Sequence, residues 1–450
     1  MAIPGENFVL RLHETDGTLI HMNVLDLAVT SATERVALVE WAYGIRTTAD
    51  TAGFSILRFD PLGNVLGQIS KTLCSFSDLE CGNFQLETGF LVPLIDGFLV
   101  AGTATNIFTG VQHPIAMRMD HAGSVRWAHQ YVADVGHPTT AKITSIVPIQ
   151  IPNRYLISAI SSDDETWLFQ IDAGSGMIVS SRLVWFMRTR RLRTTSLGIL
   201  AVGETNTLIS SEPAIMALDS MTAIPLWLRT FTWEDEGPDT GVRWFDIAEG
   251  SDVLLVVGNV VGHVNEVSPM MAFLDKRSLP TPGDIIKVLV PTLGDDPVRL
   301  RAVINHQDLV IPLASGDVYS AFCVTGDVNQ QPWSFAITED QTLLWQKKLR
   351  IPAASKGRQV PVIWASFEEI ISGGFVTTGS TPRGFLASSP VTNGRGSINC
   401  SDETAVTFPN GTLHEHRSLG EDEPLTMRTL DWGSDQGLDL DVKTGCLDLQ

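Results

Sequence analysis

The chain has 450 residues, of which 44% are hydrophobic and 18% charged, and its net charge is −20. This hydrophobic content can bury a large core and excludes the signature of disordered chains. The acidic balance argues against a general nucleic-acid-binding protein, which needs a basic face to displace counterions. No apolar run reaches the roughly 18 residues of a membrane-spanning helix. Residues 1–8 also lack the charged start and apolar stretch of a secretory signal.

The first pattern along the chain is a hairpin: an alternating strand, an Asp/Gly turn, and an apolar strand that often carries Trp. It begins at residues 8–19 and recurs with turns at positions 13, 60, 120, 172, 219, 275 and 338. Alternation with period two is typical of strands with one buried face, and Asp and Gly favour the turn. The spacing, about 54 residues on average, fits a four-stranded repeat with insertions in its loops.

The second pattern is an apolar strand that often ends in Gly-x-Thr and follows another apolar stretch and a tight turn. Copies lie at 36–41, 98–103, 155–158, 200–205, 254–258, 309–313 and 375–381. Together the two patterns give four antiparallel strands per repeat, and no strong helical period is evident. The sequence therefore predicts an all-β chain, a seven-bladed β-propeller of four-stranded antiparallel blades, with rings of six or eight blades as alternatives.

The repeats also predict how the ring closes. The hairpin at 8–19 has no inner strands before it, whereas the last inner strands, near 361–381, are followed only by a degraded hairpin around 384–387. N-terminal strands from 7–20 are therefore expected to pair with the last blade, which removes the free edges of an open ring. The repeat then stops. The predicted domains are a β-propeller at 1–396 and an irregular, partly β C-terminal extension at 397–450.

One turn resembles a repeat of a known family. The stretch from Ala217 to Trp227 is similar to the tryptophan-docking repeat of propellers related to pyrroloquinoline quinone dehydrogenases, with Ala223 in place of that repeat's Gly. The run Gly63-Asn-Val-Leu66 is similar to a hairpin of bacterial surface propellers. The resemblance covers about 7–390 and implies a fold only. Quinoprotein dehydrogenases have adjacent cysteines beside the cofactor and this chain has none, so we expect no such cofactor.

The five cysteines include no CxxC pair, which argues against a zinc or thioredoxin-like site. Cys400 and Cys446 lie near the two ends of the extension and can cross-link it by a disulfide. Cys74 and Cys81 can close a small loop by a second disulfide. Cys323 lies in an apolar run and is expected to be a buried free thiol. The sequence leaves open whether either disulfide forms.

Two acidic clusters are weak candidates for a Ca²⁺ site, because Ca²⁺ accepts six to eight oxygen ligands. Neither matches the EF-hand spacing, and a solvated loop is the simpler interpretation of both. Apart from Ca²⁺ we expect no cofactor. The carboxylates concerned are Asp235, Asp239, Asp435 and Asp439.

One basic run stands out in this acidic chain, and it can bind a sulfated or phosphorylated group or an acidic partner surface. On a strand, its first two arginines share one face and its last two share the other. A solubilising outer strand or loop is the simpler interpretation. The run consists of Arg188, Arg190, Arg191 and Arg193.

Motifs say little about function. No nucleophile elbow, Walker loop or zinc-protease motif is present in the sequence, so we name no catalytic residue; whether the chain is an enzyme stays open, with a non-enzyme favoured. The leading hypothesis is a protein- or glycan-binding propeller that acts as an attachment module of an extracellular or particle-surface assembly. The alternative is a carbohydrate-active hydrolase or lyase with carboxylates lining the channel. Since no signal is visible, a cytoplasmic scaffold is not excluded.

Overall fold

The computed structural model describes residues 9–11, 19–45, 48–74, 81–106, 108–133, 140–162, 164–205, 212–233, 241–261, 267–277, 284–291, 298–306, 321–349, 354–366, 369–378, 381–390, 401–402, 410–411, 413–419 and 432–433. Every regular element within these ranges is a β-strand. None of them is therefore a helix of the length and hydrophobicity that crossing a bilayer requires.

The strands of the first half are β1 (Val9–Arg11), β2 (Leu19–Ser31), β3 (Glu34–Ile45), β4 (Thr48–Phe59), β5 (Val65–Cys74), β6 (Cys81–Leu94), β7 (Gly97–Asn106), β8 (Gln112–Asp120), β9 (Val125–Gln130), β10 (Val132–Ala133), β11 (Ala141–Pro148), β12 (Arg154–Ser161), β13 (Thr166–Asp172), β14 (Ile178–Val184), β15 (Met187–Thr195), β16 (Gly198–Thr205), β17 (Pro213–Leu218) and β18 (Pro225–Trp233).

Those of the second half are β19 (Gly241–Glu249), β20 (Val253–Val261), β21 (Val267–Asp275), β22 (Asp284–Leu289), β23 (Val298–His306), β24 (Ala321–Val328), β25 (Gln331–Thr338), β26 (Leu343–Leu349), β27 (Ala354–Ser366), β28 (Glu369–Thr378), β29 (Thr381–Pro390), β30 (Ser401–Asp402), β31 (Asn410–Gly411), β32 (Leu413–Leu419) and β33 (Trp432–Gly433).

The strands form a β-propeller of six antiparallel blade sheets. One sheet contains β2 to β9, and the others begin with β11, β15, β19, β23 and β27. The strands β2, β6, β11, β15, β19, β23 and β27 each contact the next, and β27 contacts β2. These strands, called the ring strands below, therefore surround a common interior.

The prediction of seven blades is wrong, because two of the predicted blades are one eight-stranded sheet. Strand β5 pairs with β6 at Leu73↔Phe84 and Cys74↔Cys81. The halves β2–β5 and β6–β9 nevertheless pack on each other through a shared cluster that includes Phe54 and Phe98. A link made by backbone pairing between two repeats leaves no mark in the hydrophobic pattern, which records only which face of a strand is buried.

The ring closes between the predicted ends, but with fewer N-terminal strands. Strand β1 pairs with β29, with Val9 opposite Ala387 and Arg11 opposite Phe385. Strand β2, which starts at Leu19, belongs to the eight-stranded sheet instead. The last sheet therefore takes three strands from 354–390 and one strand from the N-terminus, whose pairing covers the edge of β29.

The glycine of the Gly-x-Thr pattern has a steric cause. The ring strands β6, β15, β19 and β23 each carry a β-bulge, and a carbonyl oxygen near that bulge lies close to a glycine of the neighbouring strand. A Cβ on Gly203 would lie 1.8 Å from the Arg188 oxygen, and one on Gly326 would lie 2.0 Å from the Arg299 oxygen. Only glycine leaves room for this approach.

The predicted copy at 309–313 lies outside the described residues; the strand that the structure pairs with β23 is β24. Its glycine, Gly326, is followed by Asp327 and Val328, so the Thr of the pattern is missing. The copy at 375–381 runs past the end of β28 at Thr378.

The predicted Asp/Gly turns are confirmed at four hairpins. In each, a carboxylate accepts a hydrogen bond from a backbone amide two or three residues later, and the turn ends with a residue of positive φ. Ala223, which replaces the Gly of the family repeat, adopts this conformation with φ 56°. The four carboxylates belong to Asp60, Asp120, Asp172 and Asp219.

The C-terminal segment adds short strands to the outer edges of three sheets. Strand β30 pairs with β26, β31 pairs with β22, and β32 pairs with β18. Strand β33 pairs with β10. The segment thus meets these sheets in reverse chain order. The boundary at 396/397 stays a prediction.

Candidate functional site

The basic run lies on one of the ring strands. All four arginines belong to β15, which is the ring strand of its sheet. The interpretation of this run as a solubilising outer strand is therefore wrong. An outer strand and a ring strand have similar polar alternation, and only the sheet order distinguishes them.

A bulge between Thr189 and Arg191 divides the run. Arg188 forms an ion pair with Asp164. Arg190 donates from Nε to both carboxylate oxygens of the buried Glu204, each at 3.1 Å. Glu204 belongs to the same sheet as the arginines, and Asp164 lies between β12 and β13 of the preceding sheet. Both guanidinium groups are therefore neutralised by these acids and are not available to a ligand inside the ring.

Asp246, on ring strand β19, is the centre of the charge cluster inside the ring. Its side chain is 3% exposed, and Arg193 binds it in a bidentate manner, with Nε–Oδ1 at 2.9 Å and Nη2–Oδ2 at 2.6 Å. The Val303 amide donates to Oδ2 at 3.1 Å, and the Ile247 amide donates to Oδ1 at 3.0 Å. This carboxylate fastens β15 and β23 to β19.

Arg191 differs from the other arginines of the run. Its Nε lies 3.9 Å from Asp246 Oδ1, beyond hydrogen-bonding distance, and 24% of its side chain is exposed. Its Cζ lies 5.3 Å from the centroid of the Phe90 ring on β6, within the range of a cation–π contact. It donates no hydrogen bond to the part of the chain that the structure describes. Because β11 separates β6 from β15 in the ring, Arg191 reaches across the interior.

A second carboxylate lies across the ring from the arginines. Asp26, on β2, accepts a hydrogen bond from the Leu91 amide at 2.8 Å. Burial raises the pKa of Asp26, and the positive charges of Arg191 and Arg193 oppose that rise. Burial also lowers the pKa of Arg191, as does its neighbour Arg193, but a guanidinium keeps its proton in proteins. Two cations and two carboxyl groups therefore share the interior.

The residue after the bulge has a repeated role in the ring. On β2, β6, β11 and β19 it is polar and bonds to the backbone of the next ring strand. Besides Asp26 and Asp246, Thr88 donates to the Ile143 carbonyl at 2.9 Å, and Ser145 donates to the Leu192 carbonyl at 3.4 Å. On β15 the same position holds Arg191, which makes no such bond, since Arg193 already joins β15 to Asp246. Arg191 therefore does not connect β15 to a neighbouring ring strand.

Two further acids, Glu40 on β3 and Glu87 on β6, are held by polar contacts. Glu40 bonds to His21 at 2.7 Å and accepts from Gln85 at 3.0 Å. Burial raises the pKa of Glu87, but hydrogen bonding and the positive charge of Lys142, with a further bond from Thr105, lower it overall. Glu87 is therefore ionised at neutral pH and is unsuited to donate a proton.

The other residues singled out from the sequence are the cysteines and the acidic candidates for Ca²⁺ binding. Cys323 is buried and free, as predicted, and burial raises the pKa of its thiol to about 12. Among the described residues, no three His, Cys, Asp or Glu side chains are grouped so as to hold a metal ion. Outside the described residues lie Asp235, Asp239, Asp435, Asp439, Cys400 and Cys446.

Asp26, Phe90 and Asp246 are not among the site residues predicted from the sequence. A signal was present for both acids, because each interrupts an apolar ring strand, in Val24-Leu-Asp-Leu27 and in Trp244-Phe-Asp-Ile247. A charge in such a strand needs a partner when it is buried. Phe90 carries no comparable signal, since an aromatic residue in an apolar strand is expected to lie in the core.

No protein-family model and no curated protein matches this chain. Among solved structures it is similar to the Dos1 propeller, with 10% identity, a TM-score of 0.46 and coverage of 91% of this chain and 94% of that one. It is similar to Raptor of Chaetomium thermophilum, with 12% identity and a TM-score of 0.45; the match covers 88% of this chain and only 29% of Raptor. A protein of unknown function from Dyadobacter fermentans DSM 18053 has 9% identity and a TM-score of 0.42, with coverage of 86% and 99%. The chain's own strand order and ring closure identify it as a β-propeller.

Proposed function

We propose that this protein is a non-enzymatic binding module that receives an acidic group of its partner, a carboxylate, sulfate or phosphate, at Arg191 inside the ring. The propeller fold suits a binding or interaction role. The observation that carries the proposal is the difference between Arg191 and the equivalent residues of β2, β6, β11 and β19, which all fasten a neighbouring ring strand.

The geometry of Arg191 suits an anion. The Cζ atom of its guanidinium lies 5.3 Å from the centroid of the Phe90 ring, and among the described residues the guanidinium donates no hydrogen bond. Guanidinium presents a fork of donors that matches carboxylate, sulfate and phosphate oxygens. The surrounding protein lowers the local dielectric constant, so a charge-assisted hydrogen bond contributes about 1.5–3 kcal/mol here.

Binding of acidic ligands to two variants tests the proposal. Arrays of sulfated, uronic-acid and neutral glycans, together with acidic and phosphorylated peptides, identify whether a glycan or a protein carries the acidic group. Arg191→Gln should weaken binding of the best ligand by about 10- to 100-fold. The control is Arg277→Gln, which removes the same charge from an ion pair on the surface, where the Arg277 side chain is 71% exposed. Equal affinity of the wild type and Arg191→Gln for every acidic ligand that binds would refute the proposal.

The alternative of a carbohydrate-active enzyme has no specific observation in its favour, since Glu40, Glu87 and Glu204 are all held by hydrogen bonds. Turnover of polysaccharides that is lost in Glu87→Gln would establish it. Attachment to an extracellular or particle-surface assembly stays a prediction from the sequence, as does the structural resemblance to the quinoprotein and bacterial surface types of repeat.

A further inference from the structure

We propose that Cys74 and Cys81 form a disulfide that fixes the junction between the two halves of the eight-stranded sheet. The backbone register places the two residues directly opposite each other on the antiparallel strands β5 and β6. The proposal rests on the pairing of β5 with β6 and does not depend on the proposed anion binding at Arg191, which lies on β15.

The backbone geometry of this position fits a disulfide. Directly opposed residues of an antiparallel pair have Cα atoms about 4.5 or 5.5 Å apart, depending on whether they exchange hydrogen bonds. A disulfide needs a Cα separation of about 4.4–6.8 Å, so both arrangements satisfy the requirement. The backbone register at this position therefore meets the distance requirement of a disulfide.

The junction is the place where a covalent link has the largest effect. The whole pairing of β5 with β6 consists of Leu73↔Phe84 and Cys74↔Cys81, with an irregularity between them. By contrast, the neighbouring strands β6 and β7 pair from Phe84 to Leu94 with a single bulge, between Leu86 and Thr88. So short a ladder opens easily in the absence of a cross-link, and the disulfide would make the continuous sheet permanent.

The chemistry is an exchange with a small-molecule disulfide such as oxidised glutathione. The Cys74 thiolate attacks one sulfur of that disulfide and releases one reduced thiol, which gives a mixed disulfide. The Cys81 thiolate then attacks the Cys74 sulfur and releases the second thiol. The two protein sulfurs lose two electrons and two protons in total, and the small-molecule disulfide gains them.

Alkylation and mass spectrometry test the proposal on the full chain. After equilibration with oxidised glutathione, the protein is denatured in iodoacetamide and cleaved with trypsin, which releases residues 72–118 as one peptide. We expect this peptide to be unalkylated and two hydrogen masses lighter than its dithiol form, and to take two alkyl groups after reduction. Alkylation of both cysteines without reduction, or a bridge from either of them to Cys323, Cys400 or Cys446, would overturn the proposal.

Single substitutions give a second measurement that does not depend on the peptide map. Cys74→Ser should leave Cys81 open to alkylation without reduction, and Cys81→Ser should expose Cys74 likewise. Cys323→Ser, which removes a buried free thiol, is the control and should leave both sulfurs protected. Reduction should lower the Tm of the wild type by about 2–3 °C and leave the Tm of Cys74→Ser unchanged. Equal Tm shifts in the two proteins would contradict the proposed role.

Discussion

The charge cluster inside the ring makes Asp246→Asn the most informative test of stability. The substitution keeps the shape of the side chain and one acceptor oxygen, but it removes the charge that neutralises Arg193. The Arg193 side chain is 29% exposed and Asp246 is 3% exposed, so the pair lies mostly away from solvent. Removal of one partner of a buried ion pair costs about 3–5 kcal/mol. Because water reaches part of Arg193, we expect about 2–4 kcal/mol.

The assay is equilibrium unfolding in urea with thermal unfolding alongside. For a chain of this length the entropy of unfolding corresponds to about 1 °C of Tm per kcal/mol, so Tm should fall by about 2–4 °C. Asp252→Asn is the matched control. Asp252 is paired with Arg277 at 3.2 Å, but its side chain is 54% exposed, and a surface pair contributes about 0–1 kcal/mol.

A double variant separates the charge from the hydrogen bonds. Asp246→Asn combined with Arg193→Met removes both charges but keeps a side-chain acceptor oxygen at position 246, and it should recover much of the stability that Asp246→Asn loses. If Asp246→Asn and Asp252→Asn had the same effect, the view that this carboxylate fastens three ring strands would be wrong.

Two further predictions concern the glycine pattern and the effect of pH. Gly203→Ala should destabilise the protein by about 1–3 kcal/mol in urea unfolding, because its Cβ would collide with the Arg188 oxygen. Gly67→Ala, where a Cβ meets nothing within 4 Å, should be neutral or slightly stabilising, and equal losses would disprove the steric cause. Burial raises the pKa of Asp26, so the folded state holds this proton more tightly and loses stability as the pH rises through that pKa. Asp26→Asn should therefore stabilise the protein at pH 7 relative to the wild type and have little effect near pH 3, whereas the same difference at both values would contradict the shift. Glu87, whose pKa is lowered, has the opposite sign: its contribution is present above about pH 4.5 and is lost as the pH falls, so Glu87→Gln should destabilise at pH 7 and have little effect in acid.

The sequence by itself determined the local structure of this protein. Strands and turns follow from interactions within a few residues, namely alternation, the Asp carboxylate that caps a turn, and a residue that tolerates positive φ. Asp120 and Gly123 therefore stand where the pattern predicted a turn. Even the closure of the ring was readable in part, since the hairpin at 8–19 had no inner strands before it.

Only the tertiary structure decided the number of blade sheets and the place of the arginines. The pairing of β5 with β6 uses backbone groups that every residue carries, so no pattern of side chains in the sequence could predict it. Arg191 points toward Phe90 because a bulge shifts the alternation of β15 and because β15 lies on the ring. Both facts depend on residues far away in the chain. The local sequence of a repeat specifies each strand, but it does not specify which side chains come together inside the ring.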